Sequence, residues 1–142
     1  MNTNVPIGAA NPAALDKYHV YRPLLDLIGL TEGTDRKRGY DETLAYGTYT
    51  GGDIDLRAMT LGQVDALQTR MLKHPANRFN SSALGRYQIV RTTLRAIRKT
   101  LGLPSTAPFD ADMQDRCACY LLGLPGIDKY LAGRLSQDTL IN

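Results

Sequence analysis

The chain has no tryptophan, only two phenylalanines, two histidines and two cysteines in 142 residues. Cys117 and Cys119 lie two apart in a helical stretch, where their side chains point in different directions, so a disulfide between them is excluded. No Cys/His cluster surrounds them, which also excludes a zinc site. Free, partly buried thiols are expected. Long apolar runs are missing too. The longest, around Leu24–Leu30, falls far short of the ~20 residues that cross a bilayer. The opening MNTNVPIGAA has neither a basic region nor an apolar core, so no secretory leader is expected. The net charge is only +3, which would suit an anionic surface but serves solubility equally well. It is small for a phosphate-binding footprint, and the basic positions Arg91, Arg95, Arg98 and Lys99 read as a solvated helix face rather than a nucleic-acid interface.

What remains is an ordinary globular composition, 43% hydrophobic and 22% charged, in a chain long enough for one core. Residues 1–10 read as a loose polar arm and 11–142 as one domain. Asn11-Pro12 looks like a helix start, with a short helix through Tyr18. Pro23–Glu32 reads as a helix with Leu24, Leu27, Ile28 and Thr31 inward, stopped by Gly33. The glycines, tyrosines and threonines of residues 33–53 suggest a small β-hairpin or sheet. Thr60 and Gln63 form a capping box ahead of a helix with Leu61, Val64, Leu67 and Met71 inward, ended by His74-Pro75. A polar loop leads to a helix with Val90, Leu94, Ile97 and Leu101 inward, stopped by Gly102 and Pro104. Asp110 caps the next, with Met113, Cys117, Tyr120 and Leu121 inward, and a last helix is expected over 127–135. This order makes an α+β domain, mainly α, with a small sheet.

Glu32 is the first candidate for the chemistry, the alternative being a solvated carboxylate at a helix end. It follows Ile28 by four residues and Leu24 by eight, so it continues the apolar stripe to the point where the helix breaks. A carboxyl there is expected to be partly desolvated, which favours its protonated form and suits a general acid for glycosidic cleavage. Asp41 is either a second carboxylate across a cleft or a turn residue; Thr48 lies a little further on. Tyr40, Tyr46, Tyr49 and Tyr87 offer flat faces for sugar rings. The segment containing Ser81, Ser82, Arg86 and Gln88 is dense in hydrogen-bonding groups, and Arg86 can hold an acidic group of the protein or of a sugar.

Five segments in order, "LLDLIGLTEGTD", "GYD", "SSALGRYQI", "LGL" and "QDR", resemble the lysozyme-like superfamily. They come closest to phage endolysins of the lambda type, which are lytic transglycosylases. The resemblance spans about residues 20–135. It implies a two-lobed, mainly helical fold with a small sheet beside the active-site cleft. It maps the catalytic Glu onto Glu32 and cleft-lining residues onto Tyr87 and Gln88. It implies cleavage of the β-1,4 bond between N-acetylmuramic acid and N-acetylglucosamine in peptidoglycan glycan strands.

The spacing of Glu32, Asp41 and Thr48 is also similar to the Glu–Asp–Thr set of phage-type hydrolytic lysozymes, so transglycosylation and hydrolysis both stay open. The expected catalytic set is Glu32, Asp41 and Thr48, with Tyr40, Tyr46, Ser82, Arg86, Tyr87 and Gln88 contacting substrate. Neither metal nor organic cofactor is expected, and neither nucleic-acid binding nor membrane insertion. The expected protein is a monomer made in the bacterial host cytoplasm that acts in the periplasm or wall, as a free endolysin or on a virion. The chain stops where lambda-type relatives continue into a Trp-containing segment, so either a fragment or a trimmed variant with an incomplete lobe is expected. The alternative is a non-catalytic peptidoglycan-binding domain on a degenerate lysozyme fold.

Overall fold

The computed structural model describes residues 17–123, apart from 44–46, 48, 51, 79 and 80. Four helices, α1 (Arg22–Glu32), α2 (Leu61–Lys73), α3 (Arg91–Leu101) and α4 (Ala111–Leu121), surround one core. The architecture over these residues is mainly helical. The arm, the helix expected after Asn11 and the helix expected over 127–135 lie outside the described residues.

The helix boundaries follow from local chemistry. Pro23 sits in the first turn of α1, where a missing N–H costs nothing, and the left-handed Gly33 (φ +80°) ends the helix, its N–H bonding Leu30 O at 3.1 Å. The capping box at α2 is complete: Thr60 Oγ1 accepts from Gln63 N at 3.2 Å, and Gln63 Oε1 accepts from Thr60 N at 2.9 Å. Asp110 caps α4 by accepting from Met113 N at 2.9 Å. Gly102 (φ +67°) closes α3.

The inward faces agree with the periodicity for α2, where Leu61, Val64, Leu67 and Met71 are buried, and for the middle of α3, where Leu94 and Ile97 are. Val90 falls outside α3 as its N-cap residue. In α4, Cys117 is buried as expected and so is Cys119, without a disulfide, whereas Leu121 is half exposed at the last helical residue.

The expected face of α1 is overturned. Leu24 and Leu27 are 46% and 56% exposed, and Leu25 and Gly29 are the buried pair. The cause is polar. An ion pair between Arg86 and Asp35 lies directly against the backbone at Gly29. Only a face with no side chain there can turn inward, and residue 25, one turn earlier, turns in with it.

The hairpin expected over 33–53 does not form over its described residues. Thr34–Arg36 and Gly39–Asp41 are 3-10 turns instead. Their amides bond locally, Lys37 N to Thr34 O at 2.9 Å and Glu42 N to Gly39 O at 3.1 Å, which leaves them unavailable to a ladder. Among the described residues the β structure is limited to isolated bridges, Thr43 with Leu84, Leu84 with Ile89, and Thr60 with Pro108.

Candidate active site

Glu32 is the last residue of α1 and its side chain is exposed. The apolar stripe leading to it is itself largely exposed, so the expected desolvation by the protein's own core is not there. The space beside it is open: a Cβ built on Gly33 would meet nothing within 4 Å.

The turn that follows is clamped. Thr34 is buried, and its hydroxyl donates to Arg86 O at 2.6 Å, with Gly29 O at 3.3 Å. The next residue, Asp35, accepts from Arg86 twice, from Nε at 2.7 Å and Nη2 at 2.9 Å. Nη2 also donates to Asp26 at 2.9 Å, and Nη1 reaches Tyr40 Oη at 3.4 Å and Tyr87 Oη at 3.2 Å. A guanidinium has five N–H donors, and here each has a partner within the protein. Arg86 therefore meets the expectation of an acid partner through Asp26 and Asp35, and no donor is left for a sugar carboxylate. The Asp35 hydrogen bonds hold this cation well above its ordinary pKa. Reciprocally, the Arg86 hydrogen bonds hold the Asp35 carboxyl below the usual Asp range.

Behind Arg86 the phenols of Tyr40 and Tyr87 both donate to Asp115 Oδ1, and Arg22 Nη2 bonds Asp115 Oδ2 at 2.9 Å. The two rings meet edge to face, 6.1 Å apart, and the Arg86 guanidinium lies within 5.5 Å of both centroids. Burial, then the bond to Asp115, pushes the Tyr87 phenol well above its usual range, so it acts as a neutral donor. Tyr87 is only 8% exposed. It supports the site from within, and its ring face is not open to a sugar, contrary to the expected substrate contact.

The turn carrying these groups is held from below. Leu84 and Ile89 exchange both backbone hydrogen bonds around Gly85–Gln88. Gln114, fully buried, accepts from Arg86 N at 3.0 Å and donates to Tyr40 O and Phe109 O. Gln88 closes the turn at φ +51°, an uncommon conformation for a residue with a side chain, and its Nε2 donates to Gly85 O at 2.9 Å. It stays half-buried at the rim.

Two expected participants are engaged elsewhere. Asp41 is buried, and its carboxylate accepts from Arg57 N at 3.0 Å, Arg57 Nε at 3.1 Å and Arg57 Nη2 at 2.9 Å. That is the turn role, not a free second carboxylate. Ser82 is buried, and its hydroxyl accepts from Arg91 N at 2.8 Å at the start of α3. Tyr46 and Thr48 lie outside the described residues. Tyr49 is partly buried with its ring 5.4 Å from that of His74.

Sequence reasoning missed Asp26, Asp35, Gln114 and Asp115 as the partners that hold the site. Gln114 and Asp115 belong to the "QDR" segment, and two tyrosines plus an arginine in the other segments already required buried acceptors. The buried Glu42 was missed too; its carboxylate accepts from the amides of Arg38 and Thr43. Among the described residues, no three His, Cys, Asp or Glu side chains gather into a metal-binding set, and no helix is long and apolar enough to cross a membrane.

A family model described as Endolysin matches residues 22–139. No curated protein and no solved structure matches the chain.

Two predictions follow from the clamp's geometry. A Cβ at residue 29 would stand 2.6 Å from Arg86 Nε and from Asp35 Oδ2. Gly29→Ala should therefore destabilise the protein by about 1–2 kcal/mol, the overpacking cost outweighing the ~1 kcal/mol helix gain. A melting temperature at or above that of the parent would contradict this contact. Because the Asp35 carboxyl is lowered on folding, its contribution is present above the ordinary Asp value of about 3.9 and is lost as pH falls through the lower folded value. Asp35→Asn should thus be less stable than the parent at neutral pH. Thermal melts should show the gap narrowing below about pH 4; a pH-independent gap would rule out the linkage.

Proposed function

This chain belongs to the endolysin family, and on that premise we propose that it is a muramidase with Glu32 as its acid catalyst. Endolysins are phage enzymes that degrade peptidoglycan, and the glycan strand is the part of it that this reading assigns as substrate. The observation that carries the finer reading is the position of Glu32. It is an exposed carboxyl at a helix end, beside open space, on a turn fastened through Thr34 and Asp35 to the Arg86 turn that also bears Gln88.

In this reading Glu32 protonates the glycosidic oxygen between N-acetylmuramic acid and N-acetylglucosamine. The bond from that oxygen to the muramic C1 breaks, and the glucosamine leaves with its 4-hydroxyl. The protein leaves Glu32 in water, so the bound strand supplies the desolvation that keeps a proton on the carboxyl for transfer. The half-buried Tyr40 and Gln88 are the groups of this cluster that remain accessible to sugar.

The engagement of Asp41 with Arg57 supports a lytic transglycosylase over a hydrolase. With Asp41 held by Arg57, Glu32 acts next as base. It takes the proton of the muramic 6-hydroxyl, whose oxygen closes on C1 to give a 1,6-anhydro end and restores the protonated acid. An enzyme of this kind is made in the host cytoplasm and works in the wall, free or carried on a virion.

Glu32→Gln should abolish the clearing of purified sacculi with the melting temperature unchanged, since only the transferable proton is removed. Clearing at the parent rate would overturn the mechanism. Mass spectrometry of the released muropeptides should find 1,6-anhydro-muramic ends; reducing muramic ends would establish hydrolysis, and a parent protein that releases nothing would favour a non-catalytic wall-binding domain. Asp41→Asn should retain most of the activity while losing about 1–2 kcal/mol of stability, the scale of hydrogen bonds to a charged group. Loss of activity in a fully folded Asp41→Asn protein would restore Asp41 to the chemistry.

A further inference from the structure

The +3 charge of the chain is not spread evenly. Helices α2 and α3 together hold Arg70, Lys73, Arg91, Arg95, Arg98 and Lys99 against a single acid, Asp65. That leaves eleven Lys and Arg against thirteen Asp and Glu in the rest of the chain. The surplus is concentrated on one helix pair while the remainder is slightly acidic.

Asp65 neutralises only part of this face. It takes Arg95 Nε at 2.7 Å and Arg95 Nη2 at 2.9 Å. The Arg95 hydrogen bonds, reinforced by the charges of Arg98 and Arg91, hold its carboxyl below the ordinary range, so it stays ionised. The side chains of Arg98 and Lys99, in the last turn of α3, form no hydrogen bond or ion pair among the described residues. Arg98 Nε is buried and has no partner. These groups converge. Arg95, Arg98 and Lys99 line an open cavity of about 270 Å³, with Leu103 as its apolar wall. The unpartnered Nε–H leaves the Arg98 guanidinium with donor capacity the described residues do not use. Three cations around a cavity of this size match a compact oxyanion, and guanidinium forks suit phosphate in particular.

We propose that the cavity lined by Arg95, Arg98, Lys99 and Leu103 is an anion site that takes a phosphate group. The phosphate is either free in solution or borne on a lipid headgroup. Arg91, one turn before Arg95 on α3, extends the attraction without lining the cavity, whereas the pairing of Arg95 with Asp65 and of Arg91 with Thr69 places Arg70 and Lys73 toward the other end of the helix pair. The site uses none of the residues assigned to glycan cleavage, so it stands or falls independently of that activity.

The test compares the full chain with Arg98→Gln/Lys99→Gln and with Arg36→Gln/Arg78→Gln, which removes the same charge from two exposed arginines elsewhere. One arm titrates inorganic pyrophosphate by calorimetry. The other measures co-sedimentation with vesicles of phosphatidylcholine alone or mixed with phosphatidylglycerol. Binding in the first arm identifies a free-phosphate site; binding confined to the phosphatidylglycerol vesicles identifies a headgroup site. In either case Arg98→Gln/Lys99→Gln should bind roughly thirty-fold more weakly, at about one charge's worth of attraction per residue. Arg36→Gln/Arg78→Gln should lose much less. Equal losses in the two double variants would mean that only net charge matters and would overturn the site. So would a parent protein that binds in neither arm, or Arg98→Gln/Lys99→Gln binding like the parent while circular dichroism and melting show all three proteins folded.

Discussion

The Arg86 guanidinium is the interaction on which the rest of the described structure is arranged. Its five donors reach two carboxylates and two phenols drawn from α1, from the two 3-10 turns that follow it and from its own turn. Its side chain is only 9% exposed. A charge this deeply placed is tolerable only when every donor is matched. Deleting a partner of a buried pair typically costs about 3–5 kcal/mol, because the other charge is left uncompensated. The partly exposed Asp26 and Asp35 lower that figure here, since water can replace some of what they give up.

This arrangement explains why segments far apart in the chain read as one unit. Thr34 and Asp35 fix the turn after Glu32 to the backbone and side chain of Arg86. Tyr40 and Tyr87 pass the contact on to Asp115, and Gln114 secures the same turn through the Arg86 amide. Four of the segments therefore meet around one cation, and each supplies what the others lack: carboxylate acceptors from the first, the Tyr40 phenol from the second, the donor fork and the Tyr87 phenol from the third, and a buried carboxylate that orients both phenols from the fourth. Fully satisfied polar networks of this sort specify a single arrangement more strongly than apolar packing of the same area.

The same network marks where the sequence was legible. Helix ends were readable because their causes are local: Thr60 with Gln63, Asp110 with the Met113 amide, and glycines at positive φ after α1 and α3. The inner face of α2 was readable because apolar periodicity alone sets it. The inner face of α1 was not, because a long-range ion pair at Gly29 decides it and turns Leu24 and Leu27 outward. The 33–53 segment was misjudged for a related reason. Its residue types favour strands, but its amides are taken by successive turns that bring Asp35, Tyr40 and Asp41 to their partners. At the site, the sequence offered the side chains but not their partners. Asp41, Ser82 and Arg86 are all engaged, each by a protein group that single-sequence spacing cannot reveal.

What emerges is a division between a rigid support and an unsupported acid. The polar cluster fixes the turn that follows Glu32, which is the kind of preorganisation that must exist before substrate arrives. Glu32 itself is left exposed at the end of a largely exposed apolar stripe. A carboxyl buried in the free protein would need its own hydrogen-bond partners, and these would compete with the glycosidic oxygen for its proton. One left in water keeps its hydrogen-bonding capacity until a strand covers it. On the muramidase reading, the strand then excludes water from Glu32 and the stripe together, so the protonated carboxyl is favoured where and when the bond is to be broken. With Asp41 held by Arg57, the protein offers no second carboxylate from this turn to direct a water. The nucleophile that completes the reaction is therefore best sought on the sugar itself.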